Sequence, residues 1–163
     1  MTSDHSAALA AEGMSAEYLT ELVDRTLLED LGGGVDVTTV STVPSDQRSI
    51  LDLVARAPGV VAGLPVAAVA LERAGDVSVE ILSSDGSRVR RGEVLVSAVG
   101  PTVSLLTAER TALNLLCHLS GVATATAAWA EALGDGPTKV RDTRKTTPGL
   151  RLLEKYAVRC GGG

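Results

Sequence analysis

The chain has no phenylalanine and contains one tryptophan and two tyrosines among its 163 residues. Proteins that bind single-stranded nucleic acid stack bases on aromatic rings, and their basic surfaces contact phosphates. This sequence has few aromatic rings and a formal net charge of -5. The composition therefore argues against a nucleic-acid partner.

Cysteines and long apolar runs are also scarce. Cys117 and Cys160 are too far apart for a Cys-x-x-Cys motif, and neither has a histidine at metal-ligand spacing. This usage is typical of a reduced, cytoplasmic protein. The longest apolar run is far below the roughly 18 residues that a membrane-spanning helix needs, so we expect no membrane segment.

Hydrophobic residues make up 45% of the chain, as in globular proteins. Residues 1–14 are interpreted as a disordered tail, because their apolar stretch is short and lacks the basic residues of a signal peptide. Ser15 is expected to cap a helix that ends near Gly32, and the β-branched residues 35–39 favour an extended segment. The other elements predicted before residue 100 are strands within 50–63, 77–82 and 93–99, and a helix over 64–74.

The second part of the chain is predicted to alternate between helices and a strand. A helix is expected over residues 105–119, with a break at Ser120 and Gly121 and a second helix that ends at Leu133. Residues 139–142 are predicted to form a strand. Thr147 followed by Pro148 favours the start of another helix, which would extend to about residue 158.

Positive charge is concentrated near the end of this sequence. Seven basic and two acidic residues lie between Lys139 and Arg159, so the segment carries +5 and the remainder -10. Such a field attracts a small polyanion. Asp142-Thr143-Arg144-Lys145-Thr146-Thr147 also falls where a strand would end and a helix begin, which is where α/β folds bind ligands. Arginine, lysine and threonine side chains suit carboxylates and phosphates, so we predict an anion site here.

Not every cation in this segment points to function. We favour ligand binding for Arg144 and Lys145, which precede the predicted helix. Arg151 and Lys155 are more simply explained as solvated helix residues that pair with Glu154.

Other charged residues fit more than one interpretation. Arg110, in the middle of a predicted helix, fits a surface role and a functional role equally well, and His118 is favoured as a packed or surface residue rather than a base. For three further cations, the sequence does not decide between a surface role and a functional role: Lys139, Arg141 and Arg159. The sequence has no Ser-His-Asp, metal-ligand or glycine-loop motif.

Two long strings, Asp142 to Arg151 and Glu154 to Gly163, are similar to the signature of the quinolinate phosphoribosyltransferases. Shorter strings resemble that family in the same order: Glu29-Asp30, Asp36 to Thr39, Ala108 to Asn114 and Leu119 to Thr124. The similarity extends from residue 19 to residue 163.

The resemblance implies a fold and an assembly. Residues 15–114 are expected to form a hammerhead-like α+β N-terminal sandwich domain. Residues 115–163 would form the beginning of an α/β barrel, which is truncated. The assembly would be a cytoplasmic homodimer with shared active sites.

The resemblance also implies an activity. Phosphoribosyl would be transferred from phosphoribosyl pyrophosphate to quinolinate with decarboxylation, giving nicotinate mononucleotide, pyrophosphate and CO2 in NAD biosynthesis. Arg110 would reach quinolinate across the dimer, while Thr143, Arg144 and Lys145 would bind substrate, with Lys145 also acting in catalysis. Mg²⁺ would accompany phosphoribosyl pyrophosphate.

The sequence departs from the family pattern in two places. After the triple glycine, the family continues with an Asn-His-Arg segment, another lysine, acidic residues near the metal and a phosphate loop. The protein ligands of Mg²⁺ are therefore expected beyond Gly163, and we expect this polypeptide alone to be inactive. In addition, Gly34-Val35 precedes Asp36, where the family more often has glycine directly before the aspartate.

Two other functions compete with this one. A related phosphoribosyltransferase paralogue would use another anionic acceptor, but the Thr-Arg-Lys-Thr string fits quinolinate better. A noncatalytic hammerhead-type binding module is suggested by the Asp85-Gly86 turn and Gly92. A lipoyl or biotinyl carrier would need a lysine at a hairpin tip, and the first hundred residues contain no lysine.

Overall fold

The computed structural model describes residues 9–10 and 12–163. The helices are α1 (Ala16–Leu31), α2 (Val37–Thr42), α3 (Leu64–Arg73), α4 (Thr102–Leu133) and α5 (Arg151–Cys160). The strands are β1 (Arg48–Val54), β2 (Gly59–Val60), β3 (Ser78–Ile81), β4 (Arg88–Val89) and β5 (Val94–Pro101). Although α4 has 32 residues, none of the described helices combines the length and apolar character needed to cross a membrane.

The strands form two antiparallel sheets. In the larger sheet, β5 lies between β1 and β3, with Arg48 opposite Pro101 and Ile81 opposite Val96. The β1–β5 register shifts between Leu53 and Val54. In the smaller sheet, β2 pairs with β4. The inner positions of the central strand, including Val96, are fully buried because the large sheet packs against the helices.

Two hydrophobic clusters join the elements. The first fills the space between the large sheet, α3 and α4, and α3 is almost wholly buried because its small Ala67, Ala68 and Ala70 allow close packing. The second cluster includes Leu19 of α1, Leu119 of α4 and Leu153 of α5, all fully buried. The apolar side of α5 is therefore fixed to both α1 and α4.

Local signals predicted α1 correctly and α2 incorrectly. The Ser15 hydroxyl accepts a hydrogen bond from the Tyr18 amide at one end of α1, and Gly32 is left-handed at the other. Residues 35–39 are not an extended segment, because the Asp36 carboxylate accepts bonds from the backbone N and the hydroxyl of Thr39 and so caps a short helix.

The predicted break in the long helix is wrong, because α4 continues through Ser120 and Gly121. Leu119 and Ala123 are fully buried on either side, and the Ser120 hydroxyl bonds to the backbone of Ala62. Burial of these side chains outweighs the cost of about 1 kcal/mol for a glycine in a helix.

The strand predicted over residues 139–142 is also absent; the structure has irregular, largely exposed chain there. A strand needs a neighbour to pair with, and neither described sheet includes this segment. The following helix begins at Arg151 rather than Thr147, because residues 147–150 form a turn in which the Leu150 amide donates to the Thr147 carbonyl.

The expected disordered tail lies partly outside the described residues, which omit 1–8 and 11. At the end of that segment, Leu9 and Met14 are fully buried in the second hydrophobic cluster. This part of the segment is packed, because its apolar side chains complete the core next to α1. The boundary expected at residues 114–115 falls inside α4.

Candidate functional site

The predicted anion site lies on a connection between α4 and α5, residues 141–149, which we call the basic loop. Its last part contacts the N-terminal helix, because the Tyr18 hydroxyl donates to the Gly149 carbonyl at 3.0 Å. Gly149 has φ +84°, and a β-carbon there would lie 2.9 Å from the Arg25 guanidinium. The positive φ favours glycine at this position, whereas the flexible Arg25 side chain could move away from a β-carbon.

Three residues of α5 contact the basic loop. Arg151, Glu154 and Lys155 are three and four positions apart, so they share one side of the helix. The Lys155 ammonium lies 2.9 Å from both oxygens of Asp142, and the Glu154 carboxylate accepts from the Thr147 amide at 3.3 Å. The expected pairing of Arg151 and Lys155 with Glu154 is therefore wrong, because each cation turns toward the loop instead, although Arg151 is exposed to solvent as expected.

Arg151 holds the middle of the basic loop. Its Nε donates to the Thr146 hydroxyl at 3.2 Å, and its terminal NH2 group donates to the Arg144 carbonyl at 3.3 Å. Inside the loop, the Lys145 amide donates to the Thr143 hydroxyl oxygen at 3.1 Å. The backbone of the loop is thus fixed at several successive points.

The side chains predicted to bind substrate remain available. Thr143, Arg144 and Lys145 are all exposed. Within the described part of the chain, the Arg144 guanidinium and the Lys145 ammonium form no ion pair, whereas Lys155 is already neutralised by Asp142. The basic loop therefore presents two adjacent free cations and a hydroxyl to solvent.

His118 is exposed, in line with a surface residue, but sequence reasoning did not place it next to the site. Its Nε2 lies 2.8 Å from Oε1 of Glu154, which also accepts from the Thr147 amide. Burial raises the pKa of Glu154, but the hydrogen bonds from Thr147 and His118 outweigh it and hold this pKa below its ordinary value. No local signal indicates the pair, because 36 positions separate its members.

Arg110 lies elsewhere and is held by α1. Its guanidinium donates to Asp30 at 3.0 Å, and its side chain is 72% exposed. Arg110 is two turns before His118 on α4, a rise of about 12 Å. Within the described part of this chain, Arg110 pairs with an acidic residue of α1 and forms no bond to the basic loop.

A buried polar contact fixes α5 against α3. The Asp85 carboxylate accepts from the amides of Gly63 and Leu64 at the start of α3 and from the Tyr156 hydroxyl at 2.6 Å. Burial and this acidic partner raise the pKa of Tyr156 far above its ordinary value. Burial, with the Asp85 charge, also raises the pKa of the Cys160 thiol to about 11.

The remaining candidates do not extend the site. A mainly apolar cavity of about 790 Å³ lies between β1, β2 and α4, with Leu53, Val61 and Leu116 in its wall, and it includes none of the predicted site residues. In the described ranges, no cluster of three or more His, Cys, Asp or Glu side chains could hold a metal ion.

Comparison with known proteins identifies the fold around this loop. The family profile described as quinolinate phosphoribosyl transferase, N-terminal domain, matches residues 36–120, and the C-terminal domain profile matches residues 122–163. Among solved structures, NadC from Streptococcus pyogenes superposes with a TM-score of 0.87 at 41% identity, over 92% of this chain and 53% of that one. Human nicotinic acid phosphoribosyltransferase shares only the fold, with a TM-score of 0.60 at 18% identity.

Curated relatives carry matching names. The nicotinate-nucleotide pyrophosphorylase (carboxylating) of Mycobacterium leprae strain TN is 47% identical over 146 residues, which are 88% of this chain and 51% of that protein. The probable enzyme of the same name from Bacillus subtilis strain 168 is 42% identical over 92% of this chain and 52% of its own length. The chain spans about half the length of these relatives.

The expected fold class is confirmed by these matches: an α+β N-terminal domain continues into the first part of the family's C-terminal domain. The N-terminal profile alone covers more than half of the residues. The chain belongs to the quinolinate phosphoribosyltransferase family.

Proposed function

We propose that this chain contributes the quinolinate-binding loop of a carboxylating nicotinate-nucleotide pyrophosphorylase. The observation that carries the proposal is the pair of free cations, Arg144 and Lys145, on a loop whose backbone is fixed by α5. Quinolinate is a pyridine with two adjacent carboxylates, so a planar guanidinium and a mobile ammonium suit its charge and shape. The family to which the chain belongs, the quinolinate phosphoribosyltransferases, supports quinolinate as the acceptor.

The proposed reaction depends on the positioning of the substrates and on electrostatic stabilisation more than on a protein nucleophile. The bond from ribose C1 to the pyrophosphate oxygen breaks and the pyridine nitrogen bonds to C1. The carboxylate next to that nitrogen then leaves as CO2, and the electron pair left on the ring carbon takes up a proton from solvent. Positive charge develops on the ribose carbon, so fixed anionic substrates and preorganised cations supply the catalysis. Lys145 is the proposed catalytic residue, because its free ammonium can contact both the carboxylates and phosphoribosyl pyrophosphate.

Thr143 is proposed as a substrate-binding residue. Its hydroxyl oxygen already accepts a bond from the Lys145 amide, which leaves the hydroxyl proton free to donate to a substrate oxygen. Arg110 is proposed to contact quinolinate across a homodimer, since its guanidinium is exposed on α4.

Magnesium is proposed to bind with phosphoribosyl pyrophosphate, where it would neutralise charge on the leaving pyrophosphate. The described side chains do not fit a protein site for it, because they form no acidic cluster of ligand geometry and Asp142 is engaged by Lys155. We therefore assign no metal ligand to the described side chains, and propose that the protein ligands of the ion come from the other half of the relatives' sequence, which turnover would also require. The two free thiols, Cys117 and Cys160, support a reducing, cytoplasmic setting.

Calorimetric titration of the chain with quinolinate tests the proposal. We expect the wild-type chain to bind quinolinate. The double variant Arg144→Ala with Lys145→Ala should lose this binding, because the loop then offers the dianion no free cation. Arg48→Ala is the matched control, since Arg48 is an exposed cation that pairs with Asp76 near the large sheet. Equal affinity in the double variant and the wild type would contradict the proposal.

The assembly has a separate test. We propose a homodimer, and sedimentation equilibrium at micromolar concentration should give twice the 16.7 kDa chain mass. A single species of the monomer mass would contradict a dimer of this chain.

A further inference from the structure

We propose that Arg151, Glu154 and Lys155 of α5 are positioning residues that hold the basic loop in the conformation that presents Arg144 and Lys145. This inference rests on the proposed function for its ligand. Its structural part, the order of the loop, can be measured without any ligand.

The contacts are distributed along the loop in sequence order. Lys155 binds Asp142 before the two free cations, and Glu154 binds the Thr147 amide after them. Arg151 binds the Arg144 carbonyl between those points. Since the bonds reach backbone groups and the flanking Asp142, the contacts fix the path of the loop and leave the Arg144 and Lys145 side chains free.

The support extends from α5 into the core of the fold. Leu153 and Ala157, on the other side of α5, are fully buried, and Tyr156 is bonded to Asp85. His118 of α4 lies 2.8 Å from Oε1 of Glu154 and so also orients this carboxylate. Because the helix is rigidly placed, the conformational cost of ordering the loop is met during folding rather than during ligand binding.

The charges of these residues allow a decisive experiment. Glu154→Ala removes a negative charge next to the site, so electrostatics alone predicts tighter binding of a dianion. Loss of positioning predicts weaker binding. We expect quinolinate affinity to fall about tenfold, with faster hydrogen exchange at the Thr147 and Lys145 amides measured by NMR.

Two further variants control for fold and charge. Arg159→Ala also removes an ion pair from α5, but its partner is Glu12 and not the loop; affinity and loop exchange should stay at wild-type values. Lys155→Asp should weaken binding, and adding Asp142→Lys should restore it, because the swapped pair reforms with the same net charge.

The outcomes separate the two proposals. If the wild type binds quinolinate and Glu154→Ala binds it equally or more tightly, positioning is overturned while the proposed function stands. If the wild type does not bind, the proposed function fails for this chain, and amide exchange alone decides the inference. Unchanged exchange at Thr147 and Lys145 in Glu154→Ala and Lys155→Asp would then overturn it, and faster exchange would support it.

Discussion

The Arg110 guanidinium on α4 lies 3.0 Å from the Asp30 carboxylate in the last turns of α1. The Asp30 side chain is 23% exposed and the Arg110 side chain is 72% exposed. The carboxylate is therefore largely buried, while the arginine contacts it from the surface. The charge of Arg110 also helps to lower the pKa of Asp36, after the hydrogen bonds from Thr39. The pair therefore connects α4 to the end of α1.

Removing this pair should affect stability only slightly. For Asp30→Asn we expect the free energy of unfolding to fall by less than about 1 kcal/mol, because the arginine is largely exposed and solvent screens the interaction. Urea denaturation followed by circular dichroism measures this value. Arg48→Ala, which breaks another exposed pair, is the control, and a loss of several kcal/mol specific to Asp30→Asn would show that the contact is structural.

The two cysteines should differ strongly in reactivity. Cys117 is exposed, whereas the Cys160 thiol is partly buried with a pKa raised to about 11. Since only the thiolate is nucleophilic, iodoacetamide at pH 8 should label Cys117 first, as read by peptide mass spectrometry.

A variant makes the cause of this difference testable. Burial raises the Cys160 pKa most and the Asp85 charge raises it further, and Asp85→Ala removes this charge together with the anchor of Tyr156. We expect faster labelling of Cys160 and unchanged labelling of Cys117. Equal labelling of both thiols in the wild type would contradict the environment described for Cys160.

Acid should weaken the anchoring of the basic loop. The pKa of Glu154 is lowered by its hydrogen bonds from Thr147 and His118, against the effect of burial. A depressed folded-state pKa contributes stability above the ordinary value of 4.5 that is lost as pH falls through the folded value. We expect wild type and Glu154→Gln to differ in unfolding free energy at pH 6 and to converge as the pH falls below 4.5 and through the lowered folded-state value. A difference that is constant with pH would contradict this linkage.

Two glycine substitutions should change stability in opposite directions. A β-carbon on Gly161 would collide with the carbonyl oxygen of Ala123 and with the Thr126 side chain, whereas one on Gly121 meets nothing within 4 Å. Gly161→Ala should cost about 1–3 kcal/mol through overpacking, and Gly121→Ala should add up to about 1 kcal/mol through helix propensity. Thermal unfolding of both variants checks the signs, and a stabilised Gly161→Ala would refute the close approach.

The sequence alone determined the features that depend on neighbours along the chain. Ser15 and Gly32 set the ends of α1 through a side-chain cap and a left-handed glycine. Local patterns located β1, β2, β3 and β5, but missed β4 and predicted a strand over residues 139–142 that is absent. The charge of the segment between Lys139 and Arg159 indicated an anion site, and the resemblance of its motif indicated the family that the comparisons confirm. The assignments of Thr143, Arg144, Lys145 and Arg110 to substrate stay predictions.

Tertiary structure decided everything that depends on partners distant in sequence. Periodicity could not show that α4 passes unbroken through Gly121, because burial of Leu119 and Ala123 against other elements outweighs the local cost. It also could not show that Lys155 faces Asp142 or that His118 faces Glu154. Charge and spacing identify which groups can bind an anion, but only the packing of α5 onto α1 and α4 determines which cations are used within the fold and which remain free.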